Sequence, residues 1–250
     1  MARKLRLEYP GAIYNVINCG SYRSWVFESK GAKNSFQKAI FEICERVGWR
    51  LHGWAIKGND YQFAVETLKS NLSEGTRWLQ GVFAMGFNRL RRERRALFQD
   101  RFKAIVVLDF EQLGWLCHCT HLSLIRAKVC KVLEFKALEY SIYWLLRKKR
   151  LRPNFLSFEA CLEGAGGLAD GSYGSKNYEQ YLEWLSEDGP RMKSMKFDRI
   201  RKDWATGSAG FKIGLLYDEK RISASIALGD SGAKAPCELA CEKSFFECLR

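Results

Sequence analysis

The sequence contains no apolar run long enough to cross a membrane, which takes about 20 predominantly apolar residues. It also lacks the apolar segment of a secretory signal peptide, because Met1-Ala2-Arg3-Lys4 leads directly into sequence with a structured pattern. Its nine cysteines are odd in number and scattered, so they do not indicate a disulfide framework. These absences predict a cytoplasmic protein with no membrane partner, whose reduced thiols mostly serve as small buried apolar groups.

Acidic residues are also fewer than basic ones. Asp and Glu number 28 against 41 Lys and Arg, which leaves a formal net charge of +13 and a sequence pI of about 9.4. Such an excess favours a polyanionic partner, above all nucleic acid; the alternative is a soluble protein that simply has a basic surface. The chain has 250 residues, of which 47% are hydrophobic, enough for one large domain or for one core domain plus an appended region.

Hydrophobic periodicity predicts an α+β fold. Alternating runs indicate strands, spacings of three and four indicate helices, and Gly48 is a candidate helix C-cap. The predicted order is strand 12–18, helix 33–47, strand 50–57, strand 60–67, helix 73–92, strand 102–108 and helix 111–133. This order is typical of a ferredoxin-like antiparallel sheet with helices on one face, which leaves the other face open to a ligand.

A change in composition predicts a domain boundary near residue 150. The preceding segment, 135–149, has a helical pattern, whereas Arg152-Pro153 and two glycine-rich stretches at 164–167 and 171–175 interrupt regular structure. Residues 151–250 therefore form, in this prediction, a mostly helical C-terminal extension with helices over 178–185 and 197–216. Its tail after residue 218 has a weak pattern and is expected to be irregular.

The strand over residues 60–67 carries the most informative pattern. Gly58-Asn59 before it is a two-residue hairpin signal, because both residue types tolerate positive φ. Period-two alternation then separates two faces. Tyr61, Phe63 and Val65 form the apolar face, and Asp60, Gln62, Ala64 and Glu66 form the other.

Residues 58–67, Gly-Asn-Asp-Tyr-Gln-Phe-Ala-Val-Glu-Thr, resemble the metal-binding strand of the REP-associated tyrosine transposases, a branch of the single-tyrosine HUH transposases. That strand reads roughly Pro-Asn-His-x-His followed by two hydrophobic residues, x and Glu. Four further blocks are similar to the family and occur in the same order. They are residues 3–14, 77–89, 97–105 and 121–127, with a weaker block at 204–211. The resemblance implies that residues 1–150 are an HUH transposase-like nucleic-acid-binding domain.

The resemblance also implies where catalytic groups would lie, and this chain departs from the family at each of them. The two metal-binding histidines are replaced by Asp60 and Gln62, the nucleophilic tyrosine by Cys119, and the third ligand by Ser123. In the family a metal polarises the scissile phosphate and the tyrosine attacks it. No catalytic residue and no cofactor are therefore expected here, and the chain resembles a catalytically degenerate member that still binds nucleic acid.

Two metal-dependent alternatives remain open at this stage. Asp60, Gln62 and Glu66 share a strand face and could hold Mg²⁺ through oxygen ligands, as the site of an active nuclease or transposase that also uses Tyr61. Cys117 and His121 lie one helical turn apart and suggest zinc, although no second Cys/His pair has a matching spacing.

Basic residues interleaved with aromatic ones predict the nucleic-acid-binding surface, since phosphates need cations and bases need stacking partners. The alternative is a set of solvated charges at a helix end. The predicted binding residues are Arg3, Lys4, Arg6, Arg77, Arg89, Arg91, Arg92, Arg94, Arg95, Arg101, Lys103, Arg147, Lys148, Lys149 and Arg150.

The function expected from these features is binding of hairpin or single-stranded DNA without cleavage, as a domesticated or accessory factor derived from such a transposase. RNA is an equal candidate, because no residue pattern reads the sugar. A third class is a protein-interaction subunit of a larger nucleoprotein complex, suggested by the cysteine-containing tail Cys237 to Arg250. A protein partner, and either a monomer or a homodimer, are compatible with all of these.

Overall fold

The computed structural model describes residues 7–126 and 143–187. Four strands and six helices follow one another within them, together with two short 3₁₀ turns. The elements are β1 (Ala12–Cys19), α1 (Lys30–Val47), β2 (Trp49–Ile56), β3 (Asp60–Thr67), α2 (Leu72–Arg91), β4 (Lys103–Val107), α3 (Phe110–Arg126), α4 (Tyr143–Leu146), α5 (Glu159–Glu163) and α6 (Ser172–Glu187).

Helix α1 shows why the local predictions hold. The Ser29 side chain accepts a hydrogen bond from the Ala32 amide at 3.1 Å, which satisfies one amide that the first turn leaves unpaired. Gly48 ends the helix in the left-handed conformation, with φ of 73°, where a residue without Cβ avoids strain. Between these caps, Phe36, Ile40 and Ile43 form the buried stripe.

The four strands form one antiparallel sheet in the order β2-β3-β1-β4. Helix α1 connects β1 to β2 along the chain. These two strands run parallel to each other, and β3 lies between them in the sheet. This is the ferredoxin-like arrangement, so the predicted α+β class and the antiparallel sheet are confirmed. The register places Asn15 opposite Ala64, Ile17 opposite Gln62, and Cys19 opposite Asp60.

One face of the sheet packs on α1 and α2 through an aromatic core. The Tyr61 ring lies 4.7 Å from that of Phe36, and Phe27 stacks on Phe83 at 5.4 Å. The Tyr61 hydroxyl accepts a hydrogen bond from Gln80 of α2 at 2.6 Å. The alternation of β3 therefore points its apolar residues into this core, as its sequence predicts.

The opposite face differs from the prediction of helices on one side only, because α3 packs on it. A Cβ placed on Gly53 of β2 would lie 3.7 Å from the Cys117 sulfur and 4.0 Å from the Thr120 methyl. The Cys117 thiol also contacts the His52 carbonyl at 3.3 Å. Residues 113–124 of α3 are all buried or half-buried, and a helix without an exposed face lies between two layers. The face predicted to be open is thus partly covered over β2 and β3.

Residues 143–187 form the second layer over α3. Backbone hydrogen bonds join Leu51 of β2 to Phe155 at 2.8 Å and to Ser157 at 3.0 Å, and Gly114 of α3 approaches Gly164 closely. The predicted helix over 178–185 is confirmed by α6, and part of the predicted 135–149 helix by α4. Helix 197–216 and the tail lie outside the described residues. The domain boundary near 150 stays a prediction.

Candidate nucleic-acid interface

Asp60, which the sequence resemblance aligns with the first metal-binding histidine, forms an ion pair. Lys57 precedes the hairpin turn and its Nζ lies 2.5 Å from the Asp60 carboxylate, with 8% and 15% of the two side chains exposed. The turn is closed by a hydrogen bond from the Lys57 amide to the Asp60 carbonyl at 2.9 Å. Asp60 therefore has a cationic partner within the chain, the Lys57 ammonium group.

The hairpin predicted at Gly58-Asn59 is confirmed. Gly58 is required there because of packing, however, and not because of a positive φ. Gly58 and Asn59 are not among the residues with positive φ. Instead, a Cβ on Gly58 would lie 2.3 Å from the indole ring of Trp25, so only glycine leaves room for that ring. The Gly58 carbonyl accepts a hydrogen bond from the Phe27 amide at 2.9 Å. This bond holds the loop at residues 20–29, which contains Trp25, against the β2–β3 turn.

The three oxygen ligands of the Mg²⁺ hypothesis do not converge. Glu66 lies six residues after Asp60 along the strand, a distance of about 20 Å at ~3.4 Å per residue. Glu66 contacts Arg50 at 3.2 Å and His52 at 3.4 Å. The close approach of the His52 imidazole, aided by the Arg50 charge, holds the pKa of the Glu66 carboxyl below its usual value. One ion cannot contact both carboxylates, and Gln62 between them is buried.

On α3, the residue aligned with the family's nucleophile is buried and the one aligned with its third ligand is half-buried. Cys119 is 8% exposed, and the Ser123 hydroxyl donates to the Thr120 carbonyl at 2.7 Å. Cys117 faces β2, whereas His121 faces α6, so the zinc hypothesis is not supported by their directions. Across residues 7–126 and 143–187, no three His, Cys, Asp or Glu side chains are grouped so that they could hold a metal.

Residues 89–103, the basic segment, run from the end of α2 to the start of β4. Six of its predicted binding residues have exposed side chains and Lys103 is half-buried. The exposed six are Arg89, Arg91, Arg92, Arg94, Arg95 and Arg101. The Arg91 guanidinium lies 5.0 Å from the Phe87 ring centroid, and Arg95 pairs with Glu93 at 2.8 Å. The segment thus presents cations at the surface, whereas Phe87 and Phe102, which the sequence offered as stacking partners, are buried.

The tertiary structure brings the basic segment to the end of the sheet that carries Asp60. The Ser21 amide donates to the Leu97 carbonyl at 2.8 Å, and the Gln99 amide donates to the Cys19 carbonyl at 2.8 Å. The Cys19 thiol donates to the Gln99 side chain at 3.0 Å. Cys19, at the end of β1, pairs with Asp60 in the sheet. The basic segment therefore lies on one side of the end of β1, and the turn at residues 57–60 that joins β2 to β3, here called the β3 hairpin, lies on the other.

Comparisons with known proteins add one structural likeness. No family profile matches this chain, and no curated protein matches it. Chains in solved structures do match. One of them is a REP-associated tyrosine transposase bound to a REP hairpin. It is 12% identical, the match covers 61% of this chain and 89% of that chain, and the TM-score is 0.49. A likeness at this level assigns neither a family nor an activity.

The second predicted cluster, residues 147–150, is partly neutralised by acids of the C-terminal layer. Arg147 lies 3.9 Å from Glu179, and Lys149 lies 3.5 Å from Asp170. Lys148 sits 3.8 Å from the centre of the Trp144 ring. Arg77 is exposed on α2, whereas Arg3, Lys4 and Arg6 lie outside the described residues. This cluster has fewer uncompensated charges than the basic segment, which remains the better candidate interface.

Sequence reasoning overlooked the aromatic residues beside the hairpin. Tyr22 is fully exposed and Trp25 is 67% exposed, although both are large apolar side chains. Tyr22 and the following Arg23 have positive φ values of 53° and 57°, which non-glycine residues seldom adopt. Two aromatic residues within a short polar loop were the signal available in the sequence.

A buried polar cluster between α3 and α6 was also missed. The Tyr178 hydroxyl lies 2.8 Å from Nδ1 of both His118 and His121, so it donates to one imidazole and accepts from the other. Burial lowers the pKa of His118 to about 4 and that of His121 to about 3, so both rings are neutral at pH 7. The cluster joins α6 to α3 and does not reach the candidate interface.

None of the five cysteines within the described residues forms a disulfide. Within those same stretches, no helix is sufficiently long and apolar to span a bilayer.

Proposed function

We propose that this protein binds hairpin or single-stranded nucleic acid, DNA or RNA, without cleaving it, and that it acts as an accessory or domesticated relative of the REP-associated tyrosine transposases. The observation that carries the proposal is the meeting of the basic segment with the β3 hairpin across the end of β1. The sequence blocks that resemble the transposases supply the family and the hairpin as the first ligand to test. A cytoplasmic location belongs to the same proposal.

Charge and geometry support phosphate binding at this edge. Arg89, Arg91 and Arg94 have exposed side chains, and the backbone bonds of residues 97 and 99 fix the segment on the sheet. Fixed cations release condensed counterions when they contact phosphates, which gives affinity that falls steeply with salt. A net charge of +13 adds long-range attraction of a polyanion to the same surface.

The side chains at the family's catalytic positions support binding without cleavage. Asp60 is paired with Lys57, Gln62 and Cys119 are buried, and the Ser123 hydroxyl donates to its own helix. Phosphodiester transfer by the family's route needs a metal and an accessible tyrosine hydroxyl. Neither an imidazole pair nor a tyrosine stands at the corresponding positions here.

The proposal is tested by fluorescence anisotropy with labelled hairpins that carry single-stranded extensions, as DNA and as RNA, over a salt series. We expect binding with a logarithmic salt slope that scales with the number of phosphates contacted. Reversal of Arg89, Arg91 and Arg94 to Glu should weaken binding and flatten the slope by about 2 to 3, at 0.7–0.9 per contact. Unchanged affinity and slope would overturn the interface.

A matched control separates this surface from net charge. Lys38, Lys69 and Lys176 are exposed cations away from the basic segment, and their reversal to Glu removes the same amount of charge. This variant should keep most of the affinity. Equal weakening by both variants would favour the alternative of a generally basic surface.

Cleavage is examined in the same samples after addition of Mg²⁺ or Mn²⁺. Intact oligonucleotide and no covalent protein adduct are expected. Cleavage that Asp60→Ala abolishes would favour a metal-dependent nuclease and would overturn the non-cleaving part of the proposal, while leaving the binding part in place.

A further inference from the structure

A cleft of about 350 Å³ lies beside the β2–β3 turn, next to the candidate interface. Trp25, Phe27, Glu28, Lys33 and Gly58 line it. The cleft lies at the same end of the sheet as Asp60, because the Phe27 amide bonds the Gly58 carbonyl and the Gly20 amide bonds the Asn59 carbonyl at 2.7 Å. Neither the resemblance nor the predicted binding residues assign a role to it.

The indole of Trp25 forms a supported surface in this cleft. The ring is placed so close to Gly58 that any side chain there would overlap it, yet 67% of the residue is exposed. A large aromatic ring that rests on backbone and still presents most of its area to solvent is a poor core residue. It is a suitable stacking surface for another flat ring, since it is already positioned and loses little freedom on binding.

The charged residues of the cleft complement a nucleotide. Glu28 offers carboxylate oxygens that accept hydrogen bonds, and Lys33 offers an ammonium group for a phosphate. Lys33 is half-buried in the wall of the cleft, and this partial burial lowers the pKa of its amino group. The cleft therefore combines a stacking face, an acceptor and a cation.

We propose that this cleft binds one unpaired nucleobase of the single strand that adjoins the hairpin, with the base stacked on Trp25. The proposal rests on the nucleic-acid binding proposed above and specifies where an unpaired base is held. The Glu28 carboxylate accepts from an exocyclic amino group, so adenine, cytosine and guanine fit better than thymine or uracil. Lys33 contacts the phosphate of the same nucleotide.

The test uses the full-length protein and a hairpin with single-stranded extensions on both sides, in which an abasic site replaces each unpaired nucleotide in turn. For the wild type, one position should lose roughly tenfold in affinity, within the range that stacking of one base supports. Trp25→Ala should lose a similar factor on the intact oligonucleotide and should then be insensitive to the abasic site at that position. Trp25→Phe should retain part of the sensitivity.

Two further variants provide a control for exposed aromatic residues and a test of the role of Glu28. Tyr173→Ala removes another exposed aromatic residue, on α6, and should bind like the wild type. Glu28→Gln should reduce the preference for a base with an amino group over thymine at the sensitive position, because a carboxylate accepts such bonds more strongly than an amide. Thermal unfolding of each variant verifies that the fold is intact.

The outcomes distinguish the two proposals. If the wild type binds tightly but no abasic position matters, or if Trp25→Ala weakens every oligonucleotide equally while keeping the abasic pattern, the base-binding cleft is overturned and the proposed function stands. If the wild type binds no DNA or RNA at any salt concentration, both are overturned.

Discussion

The ammonium group of Lys57 lies 2.5 Å from the carboxylate of Asp60, across the turn that joins β2 and β3. Both side chains are mostly buried, and Asp60 occupies the place where the resembling transposases have a metal-binding histidine. The ion pair is thus an internal contact between two residues three positions apart. It stabilises the hairpin without creating an electrophile.

The ion pair predicts a large stability loss when only one partner is removed. Asp60→Ala leaves a mostly buried ammonium without its carboxylate, so the free energy of unfolding should fall by about 3–5 kcal/mol. The double variant Lys57→Met/Asp60→Leu should lose much less, since no charge is then buried. Urea unfolding of both variants measures this. An Asp60→Ala loss no larger than that of the double variant would contradict the role of the pair.

Two glycines of α2 should respond in opposite directions to alanine. A Cβ on Gly75 would lie 2.3 Å from the Trp49 ring, whereas a Cβ on Gly81 would meet nothing within 4 Å. Gly75→Ala should therefore lower the free energy of unfolding by about 1–3 kcal/mol through overpacking. Gly81→Ala should raise it by about 0.5–1 kcal/mol through helix propensity. Chemical unfolding of the two variants under one set of conditions decides this, and a gain from Gly75→Ala would contradict the packing.

The two neutral imidazoles on α3 predict a loss of stability in mild acid. Their folded pKa values, about 4 for His118 and about 3 for His121, lie below the unfolded value of 6.5. Below pH 6.5 the unfolded chain binds more protons than the folded protein, so stability is complete above pH 6.5 and declines as the pH falls toward 4. By pH 5 the loss should be about 2 kcal/mol for each imidazole.

Unfolding measured between pH 7 and pH 5 tests this, because most carboxylates remain ionised in that window. A His118→Gln/His121→Gln variant should be less stable at pH 7 but should show a flatter pH dependence. An unchanged pH dependence in that variant would assign the acid sensitivity to other groups.

Under the proposed function, a tyrosine introduced at position 119 should not by itself produce cleavage. Cys119 is 8% exposed, so Cys119→Tyr forces a larger ring into a packed position and should destabilise the fold by about 1–3 kcal/mol. No covalent adduct with a hairpin is expected, since the metal-binding imidazoles are absent as well. Cys119→Ser is the matched control of similar size. An adduct formed by Cys119→Tyr on a denaturing gel would show that the degenerate site still positions a phosphate.

Part of this architecture could be predicted because it depends on local rules. The Gly48 cap, the stripe of α1 and the alternation of β3 all follow from residues close in sequence, and the structure confirms them. The strand and helix order then allowed few topologies. The position of α3 was not predictable in this way, because its burial on all sides follows from α5 and α6, which cover it from 30 or more residues away.

The sequence by itself determined the antiparallel sheet, the basic character of the surface, and the residue types at positions 60, 62 and 119, since these depend on residue type and local periodicity. Only the tertiary structure decided that the basic segment meets the β3 hairpin across Cys19, that Lys57 neutralises Asp60, and that Trp25 rests on Gly58. These contacts depend on loop paths and strand register, and neither is encoded in the spacing of residues along the chain.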